Sequence, residues 1–223
     1  MIGTPRVHHR LTDSTNERAK LLAAEGAPHG TLVTADEQEA GRGRQGRLWT
    51  APPGSAVLMS LVLREFDEFL PLTAAVAVCE ALPVEAAVKW PNDVWIDRRK
   101  VAGILVEGRP QEGWAILGIG LNVSTPSFPP ELAEIATSLH LSGAETSRDQ
   151  VLADLLRSLS EWLSAPAGAA LSAWRSLDAL KGERVRWSDG EGTADGIDDS
   201  GSLLVQTENG PVTLDAGEVH LLR

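Results

Sequence analysis

Four short apolar stretches follow one another closely between Ala86 and Val123, and this spacing constrains the fold more than any other feature of the chain. The stretches are residues 86–90, 94–96, 100–107 and 114–123. Turn-forming proline and Asx residues occupy the first two connections, at 91–93 and 97–99. Connections this short join antiparallel strands, because a parallel pair needs a crossover of about a dozen residues or more. The region is therefore predicted to be an antiparallel meander.

Helical patterns and further strands surround this meander. Ser14–Glu17 and Ser147–Gln150 both have the capping-box form, in which the first and fourth residues satisfy each other's backbone amides. They predict helices that end near Gly26 and Trp162. Additional predicted elements are strands over 31–35 and 56–63 and helices over 71–82 and 169–180. The combination predicts an α+β fold built on a mostly antiparallel sheet with helices.

The pattern of the chain changes at Gly182. From there on, short strand-like stretches follow one another, and Asn209-Gly210 between two of them is a strong hairpin signal. The stretches are residues 183–187, 192–197, 202–207, 211–214 and 218–222. This arrangement predicts a small β-barrel. The chain is therefore expected to form two domains, residues 1–181 and residues 182–223.

The charge and the apolar runs of the chain exclude several classes of function. The formal net charge is −11, which disfavours nonspecific binding to nucleic acid, because such binding uses a basic surface. No apolar run approaches the roughly 18 residues of a membrane span, and the N-terminal residues have no secretory h-region. The single cysteine, Cys79, cannot form an internal disulfide. We therefore expect a cytoplasmic protein without membrane or nucleic-acid partners.

A glycine-arginine segment at residues 41–47 (GRGRQGR) is the local exception to this acidity. Its glycines match the dinucleotide-binding pattern G-x-G-x-x-G, but in that motif they open a helix within a parallel βαβ unit. Pro52, Pro53 and Gly54 follow too soon for such a helix. Glycines make a loop mobile and arginines bind phosphate or carboxylate through forked donors, so the segment is predicted to close over an anionic ligand. A solvated loop without function is the alternative.

A fixed order of motifs links this loop to the meander. The motifs are Asp13–Asn16 (DSTN), Glu37–Trp49 (EQEAGRGRQGRLW), Lys89–Asp93 (KWPND), Lys100–Glu107 (KVAGILVE) and Gly118–Val123 (GIGLNV). Together they resemble the biotin–protein ligase family, and the resemblance extends from about Asp13 to Val123. The pair KWPND and KVAGILVE is its most specific part. Residues 182–223 resemble the family only in kind, as an SH3-like barrel.

The resemblance implies a fold and a reaction. The fold is a catalytic domain similar to class II aminoacyl-tRNA synthetases, followed by the SH3-like barrel. In the reaction, the carboxylate of biotin attacks the α-phosphate of ATP to give biotinyl-5′-AMP and pyrophosphate, and a lysine of an acceptor protein then takes the biotinyl group. The implied substrates are biotin and ATP with Mg²⁺. The implied partner is the biotin carrier domain of a biotin-dependent carboxylase.

The resemblance also assigns roles to particular residues. Those expected at biotin are Ser14, Thr15, Asn16, Gln38, Gly41, Arg42, Lys100 and Gly103. Arg42 and Lys100 are also the candidates for catalysis, because cations at the carboxylate and α-phosphate would stabilise charge as it develops. Those expected at ATP and the adenylate are Arg44, Arg47, Trp49, Lys89, Asn92 and Asn122. Asn92, Asp93 and Asn122 gain nucleotide or metal roles, but no dedicated metal cage is visible, as is usual when Mg²⁺ is held by phosphates and water.

Other functions stay open on the sequence alone. A lipoyl or octanoyl transferase has a related architecture, although such enzymes lack the pair of arginine loop and KWPND. A biotin-binding module that has lost catalysis is the non-enzymatic alternative, against which Lys100 and Arg42 argue. Some relatives carry an N-terminal winged-helix domain that binds DNA, but too few residues precede Ser14 for one, so operator binding is not expected. An exposed sheet edge would allow two copies to pair as a homodimer.

Overall fold

The structure is a computed structural model that describes residues 1–166, 168–215 and 217–222. A large sheet contains β1 (Arg6–Thr12), β2 (Thr31–Gln38), β3 (Ala56–Leu63), β4 (Ala87–Lys89), β5 (Asp93–Ile96), β6 (Arg99–Arg109) and β7 (Trp114–Asn122). The helices are α1 (Thr15–Ala24), α2 (Leu70–Ala81), α3 (Pro130–Ala133), α4 (Arg148–Trp162) and α5 (Ala169–Ser176). A second sheet contains β8 (Arg184–Trp187), β9 (Gly190–Ile197), β10 (Leu203–Thr207), β11 (Gly210–Leu214) and β12 (His220–Leu221). None of the helices in the described ranges is both long enough and apolar enough to span a lipid bilayer.

The large sheet has the strand order β1-β2-β3-β7-β6-β5-β4. The predicted meander is confirmed as β4 to β7, and every pair in the sheet is antiparallel except β1 with β2. That pair is parallel because α1 crosses over between its strands. The second sheet is antiparallel throughout, in the order β11-β10-β9-β8-β12. The α+β fold class with a separate small β-domain is thereby confirmed.

Strand β1 was not predicted from the sequence. Its residues, RVHHRLT, are mostly polar, and only Thr12 at its end is buried. The strand lies at one edge of the sheet, where it pairs with β2 on one side. A polar edge strand has no alternating apolar pattern, because it buries little side-chain surface, so the usual signal of a strand is missing.

Both faces of the central strands are covered by helices, which explains the continuous apolar sequence of β3. Every residue of β3 is buried. On one face, Ala19 and Ala23 of α1 form a cluster with Val62 and Ile116. On the other face, α2 is buried along nearly its whole length and packs against α4. Burial on both faces fixes the strand register, because a slip by one residue would exchange the two sets of side chains.

The first helix begins differently from the prediction. Ser14 occupies the N-cap position with an extended backbone, but its side chain makes no capping bond. The capping box predicted for Ser14 and Glu17 is therefore wrong. Asp13 takes over part of that role, since its Oδ1 accepts the Ser14 backbone N–H at 2.7 Å. Glu17 is thereby left to bind the side chains of Lys20 and Arg42.

The capping prediction for α4 holds in part. The Ser147 side chain accepts the Gln150 backbone N–H at 3.2 Å, as the capping box requires. The Gln150 side chain does not reach back to Ser147, because its Nε2 donates to Asp154 at 2.9 Å, one turn further along the helix. The helix is thus capped on one side of the box only.

The second sheet packs against the large one at Trp90, directly after β4. The Trp90 Nε1 group donates to the Gly201 carbonyl at 3.0 Å, and the Trp90 side chain is buried. Gly201 has a φ of +83°, and a Cβ there would lie 2.7 Å from Leu72 Cδ1 of α2, so the contact favours glycine strongly. With the two sheets packed in this way, Glu218 and His220 lie beside the cavity over the large sheet.

Candidate active site

A cavity opens over the middle of the large sheet, between the start of α1, the loop of residues 42–49 and strands β6 and β7. Most residues predicted to bind biotin or nucleotide line it, namely Ser14, Thr15, Asn16, Gln38, Arg42, Arg44, Arg47, Trp49, Lys89, Asn92, Lys100 and Gly103. Apolar lining comes from Leu48, Leu58, Met59, Ile104, Leu105 and Ile119. The fold therefore gathers into one place motifs that are far apart in the sequence.

Glycines of β6 and β7 form the floor of this cavity. Gly118 and Gly120 lie two residues apart in β7 and so face the same side of the sheet, and Gly103 of β6 pairs with Gly120. A Cβ on Gly118 would lie 2.1 Å from Asn16 Oδ1, and one on Gly120 would lie 2.4 Å from Trp49 Cε2. Only glycine thus allows these two side chains to rest directly on the strands.

The α1 end of the cavity is lined by neutral polar side chains that are fixed by hydrogen bonds. Gln38 Oε1 accepts the Thr15 backbone N–H at 2.7 Å and the Thr15 hydroxyl at 3.0 Å. Ser60 Oγ lies 2.8 Å from Thr15 Oγ1 and 2.6 Å from Asn16 Oδ1, while Asn16 Nδ2 donates to Glu107 Oε2 at 2.8 Å. Thr15, Ser60 and Asn16 are all buried. The donors and acceptors here are held in place before any ligand arrives.

The backbone of Lys100 is held at the other end of the cavity. A two-residue turn connects β5 to β6, and both of its residues, Asp97 and Arg98, have left-handed φ angles of 48° and 62°. Beyond the turn, the Lys100 N–H donates to the Ile135 carbonyl and the Lys100 carbonyl accepts from Thr137 N–H, each at 2.8 Å. These contacts on both sides fix where the lysine side chain begins.

The Lys100 side chain points over the glycine floor. Its Nζ lies 2.6 Å from Asp93 Oδ1 and 5.5 Å from the centre of the Trp49 ring. A Cβ on Gly103 would lie 3.0 Å from that Nζ, so the glycine leaves room for the ammonium. With about a third of its side chain exposed, Lys100 can exchange part of its hydration for an anionic ligand.

Lys89 is a second ammonium at this end, and it is partly buried. Burial lowers the pKa of Lys89 below its usual value, and the positive charge of Lys100 acts in the same direction, whereas Asp93 opposes the shift. Its Nζ lies 5.6 Å from the centre of the Trp95 ring. A bound phosphate would favour the protonated form of Lys89, because it would replace the lost hydration with a negative charge.

The loop over the cavity is closed by its own backbone. The Gly43 N–H donates to the Arg47 carbonyl at 2.8 Å, and the chain turns back through Gln45 and Gly46, with φ angles of 54° and 76°. The segment forms a tight turn and does not open a long helix. This geometry agrees with the prediction that the glycines do not form a dinucleotide-binding motif.

The arginines of the loop each bind a different part of the molecule. Arg42 pairs with Glu17 of α1, Arg44 Nη1 donates to Asn92 Oδ1 at 3.2 Å, and Arg47 pairs with Glu218 of the second domain. The bond to Glu17 raises the pKa of Arg42. Burial acts to raise the pKa of Glu17, but hydrogen bonds from Lys20 and Arg42 outweigh it and lower that pKa. Both partners of the pair are therefore charged. In this conformation Arg42 is held near α1, beside the polar end of the cavity.

The sequence matches the model of the Biotin/lipoate A/B protein ligase family over residues 8–124 and that of the Biotin protein ligase C terminal domain over residues 182–222. It is 36% identical to the Bifunctional ligase/repressor BirA of Bacillus subtilis, over 99% of this chain and 75% of that protein. It is also 36% identical to the Biotin--[acetyl-CoA-carboxylase] ligase of Mycobacterium tuberculosis, over 95% of this chain and 87% of that protein. The chain is a member of the biotin protein ligase family.

The fold of this family member agrees with a solved structure. Biotin protein ligase from Aquifex aeolicus, in complex with biotin and ATP, superposes with a TM-score of 0.85 at 31% identity, and the match covers 99% of both chains. The likeness includes the second domain, which the sequence resembled only in kind. The resemblance drawn from the five motifs is therefore confirmed over the whole chain.

Two residues expected at the ligands lie elsewhere in this biotin ligase. Asn122 does not line the cavity. It is buried, and its Nδ2 donates to the Thr137 carbonyl at 3.0 Å, which braces the segment that holds the Lys100 backbone. Gly41 lies behind the lining, where a Cβ would meet the Trp49 carbonyl at 2.3 Å. Asn122 thus supports Lys100 through Thr137, and Gly41 supports Trp49, whose backbone N–H it accepts.

Sequence reasoning missed four residues: Ser60 and Glu107, which bind lining residues from behind the cavity, and Glu218 and His220, which line it. Ser60 is the one polar residue of the strand AVLMSLVL, and that break in a buried apolar run was the available signal. Glu107 ends the KVAGILVE motif and binds Asn16. Glu218 and His220 line the cavity from the second domain, and no local sequence pattern predicts that residues so distant in the chain lie beside it. Within the described residues, no group of three or more His, Cys, Asp or Glu side chains is placed to hold a metal ion.

Proposed function

We propose that this chain is an ATP-dependent, AMP-forming ligase that attaches biotin to a lysine of a biotin carrier domain. The observation that carries the proposal is the order of groups in the cavity: fixed neutral donors and acceptors at α1, a floor of glycines with apolar walls, then ammonium groups at Lys100 and Lys89. Biotin has the same order of groups, because a polar ureido ring is joined to an apolar bicycle and chain that end in a carboxylate. ATP would bring its phosphates to the cationic end.

In the first step, a carboxylate oxygen of biotin bonds to the α-phosphorus of ATP, and the bond from that phosphorus to the bridging oxygen breaks. Pyrophosphate leaves with the electron pair, and biotinyl-5′-AMP remains. Two anions must approach each other here, so we assign Lys100 to neutralise their repulsion and to stabilise the charge on the α-phosphate. Its contact with Asp93 holds the ammonium in place until the ligands arrive.

In the second step, a lysine amine of the acceptor bonds to the acyl carbon, and the bond from that carbon to the phosphate oxygen breaks. AMP leaves, and the amine loses a proton as the amide forms. The mixed anhydride must be protected from water in between. We assign this protection to the arginine loop, with Arg42 exchanging Glu17 for the ligand carboxylate or phosphate and with Arg44, Arg47 and Trp49 covering the adenylate.

Magnesium enters this proposal as part of the substrate, bound to the ATP phosphates and water. Asn92 and Asp93 offer the nearest amide and carboxylate oxygens at the cationic end, and both already bind side chains, Arg44 and Lys100. The ion would neutralise part of the triphosphate charge, while Lys100 and Lys89 contribute the remaining cations. No separate metal cage is required for this role.

The test of the proposed function is ATP–pyrophosphate exchange with either biotin or lipoate as the acid. We expect exchange that depends on biotin and is absent with lipoate. Exchange that depends on lipoate instead would favour the lipoyl-transferring alternative. Stoichiometric binding of biotin without any exchange would favour a binding module that has lost catalysis.

Three further proposals concern domains, assembly and location. We propose that residues 1–181 form the catalytic domain and residues 182–223 the second domain. Strand β5 pairs with β6 as far as Gly103, and Asn92 binds both backbone groups of Ile104. Beyond Ile104, in the described part of the chain, β6 presents a free edge to which a second copy could add a strand. Sedimentation at two protein concentrations tests that homodimer.

The net charge of −11 supports the absence of nucleic-acid partners, and the need for ATP supports a cytoplasmic location.

A further inference from the structure

The side-chain amide of Asn16 contacts Ser60 through Oδ1 and Glu107 through Nδ2. Asn16 is buried at the polar end of the cavity, with its Oδ1 resting where a Cβ of Gly118 would lie. Its two amide atoms differ in chemistry, because Oδ1 only accepts hydrogen bonds and Nδ2 only donates them. A ureido ring, which carries both donors and an acceptor, distinguishes the two orientations of such an amide. The group that fixes the orientation therefore contributes to recognition.

Ser60 does not fix this orientation. Its hydroxyl lies 2.6 Å from Asn16 Oδ1, and a hydroxyl can either donate or accept. If the Asn16 amide were inverted, Ser60 could accept from Nδ2 and turn its own hydrogen to Thr15 Oγ1, which lies 2.8 Å away. Ser60 is thus compatible with both orientations.

Glu107 is compatible with only one of them. Its Oε2 lies 2.8 Å from Asn16 Nδ2, and a carboxylate can only accept, so it requires the NH₂ group on its side. Lys20 holds the carboxylate in turn, since Lys20 Nζ donates to Glu107 Oε1 at 2.6 Å and to Glu17 Oε1 at 3.0 Å. Arg42 Nη1 is a further cation on the same side, 4.0 Å from Glu107 Oε1.

We propose that Glu107, held by Lys20, is a positioning residue for the ureido end of biotin: it sets the donor–acceptor orientation of the Asn16 amide. The proposal rests on the proposed function, because it takes biotin as the ligand of this cavity. Glu107 acts through Asn16 and needs no contact with the ligand. The carboxylate that ends the KVAGILVE motif thereby acquires a role in substrate recognition.

The substitution Glu107→Gln has a specific consequence under this proposal. Lys20 remains a donor, so it selects the Oε1 atom of the new amide and turns the NH₂ group toward Asn16. Asn16 must then present Oδ1 to it and invert, which brings its own NH₂ to Ser60 and to the cavity. Every protein group keeps a partner, so the stability of the fold is preserved. Only the ligand meets the wrong pattern, and one mispaired buried group costs about tenfold or more in affinity.

The experiment measures biotin affinity by calorimetry, together with kcat and KM in the exchange reaction, for four proteins. They are the wild type, Glu107→Gln, the double variant Lys20→Met with Glu107→Gln, and Glu112→Gln as a control. Glu112 pairs with Arg109 on the surface beyond β6, so its variant should behave as the wild type. We expect Glu107→Gln to raise the Kd and KM for biotin about tenfold or more, with the KM for ATP, kcat and Tm nearly unchanged.

The double variant decides between positioning and charge. Without the ammonium of Lys20, no close donor remains on that side, because Arg42 Nη1 pairs with Glu17 and lies 4.0 Å from Glu107 Oε1. The amide introduced by Glu107→Gln can then turn its Oε1 toward Asn16, so we expect much of the lost biotin affinity to return. An unchanged Kd in Glu107→Gln would overturn the proposal. So would a loss that the double variant fails to recover, because that would indicate that the Glu107 charge itself matters. If the wild type binds biotin but shows no exchange, the proposed function fails while the calorimetric comparison still tests the role of Glu107.

Discussion

The two ends of the cavity differ in how they are held before a ligand arrives. At the α1 end, Asn16, Thr15 and Ser60 are buried and bonded to one another through atoms of α1 and the sheet. Above the cavity, Arg42 and Arg47 have side chains that are 48% and 63% exposed, and both are paired with carboxylates of the protein. The neutral groups thus belong to a helix and a strand, whereas Arg42 and Arg47 belong to a loop.

This difference has a physical reason. A buried neutral network costs little when it is fully satisfied and gives specificity for a polar ring. A charged group buried without a partner is costly, whereas the loop leaves Arg42 and Arg47 about half exposed and paired with carboxylates that an anionic ligand can replace. This difference predicts large changes in biotin affinity from the α1 end and small ones from the ion pairs of the loop. Changes at the cationic end should act on the KM for ATP, on its pH dependence and on the rate of chemistry.

The largest expected effect on binding comes from adding one methyl group to the floor. In Gly118→Ala, the new Cβ would collide with Asn16 Oδ1, and the strand backbone cannot move away because it is buried and paired on both sides. We expect the KM for biotin to rise about a hundredfold, since the buried polar network loses its arrangement. Titration of exchange activity with biotin measures this.

Gly108→Ala is the matched control for that variant. Gly108 lies at the outer end of β6, where a Cβ would make an ordinary contact with Pro110 at 3.7 Å. Its biotin KM should stay close to that of the wild type. Similar KM values for both alanine variants would contradict a floor that depends on the missing Cβ of Gly118.

An intermediate effect is expected from pH at the cationic end. Because burial lowers the pKa of Lys89 below its usual 10.5, this ammonium loses its proton sooner than a free lysine as the pH rises. The KM for ATP should therefore rise toward alkaline pH, before an ordinary lysine would titrate. In Lys89→Arg the guanidinium stays charged, so this rise should disappear. Equal alkaline profiles for the ATP KM in both proteins would show that Lys89 does not meet the phosphates.

The smallest effect is expected from Glu17→Gln. This variant removes the carboxylate that holds Arg42, so the arginine becomes free for the ligand. Partly exposed ion pairs contribute about 1 kcal/mol or less, and we expect biotin to bind up to about fivefold more tightly. Calorimetry in low and high salt checks this, because the gain should shrink when salt screens the pair. Weaker binding in Glu17→Gln would indicate that Glu17 supports the bound state instead.

The fold was predictable where side-chain burial leaves a pattern in the sequence. Strand β3 has the bounds that its apolar run predicted, and the meander follows from its turns. Strand β1 was not predicted, because a polar edge strand leaves no such pattern. The capping box at Ser14 failed because a neighbouring side chain, Asp13, can bind the same amide, and local sequence does not decide between them.

The site shows the same limit. Residues within the recognised motifs reached the cavity in most cases, because those motifs end strands or begin a helix beside it. Asn122 did not, although it is two residues beyond Gly120, because it lies at the end of β7, where its amide binds the Thr137 carbonyl. The contact of Glu218 with Arg47 depends on the packing of two domains, which no spacing within either one encodes.

The proposed function is tested most directly by the transfer of biotin to a biotin carrier domain, read as the intact mass of the acceptor. The wild type and Lys100→Ala are compared with ATP, Mg²⁺ and biotin present. We expect the wild type to add the mass of one biotinyl group, and the folded variant to lose activity by about a hundredfold or more, as when a group that stabilises transition-state charge is removed. A wild type that binds biotin and leaves the carrier domain unmodified would contradict the proposed transfer, and Lys100→Ala transferring at the same rate would contradict the catalytic role of Lys100.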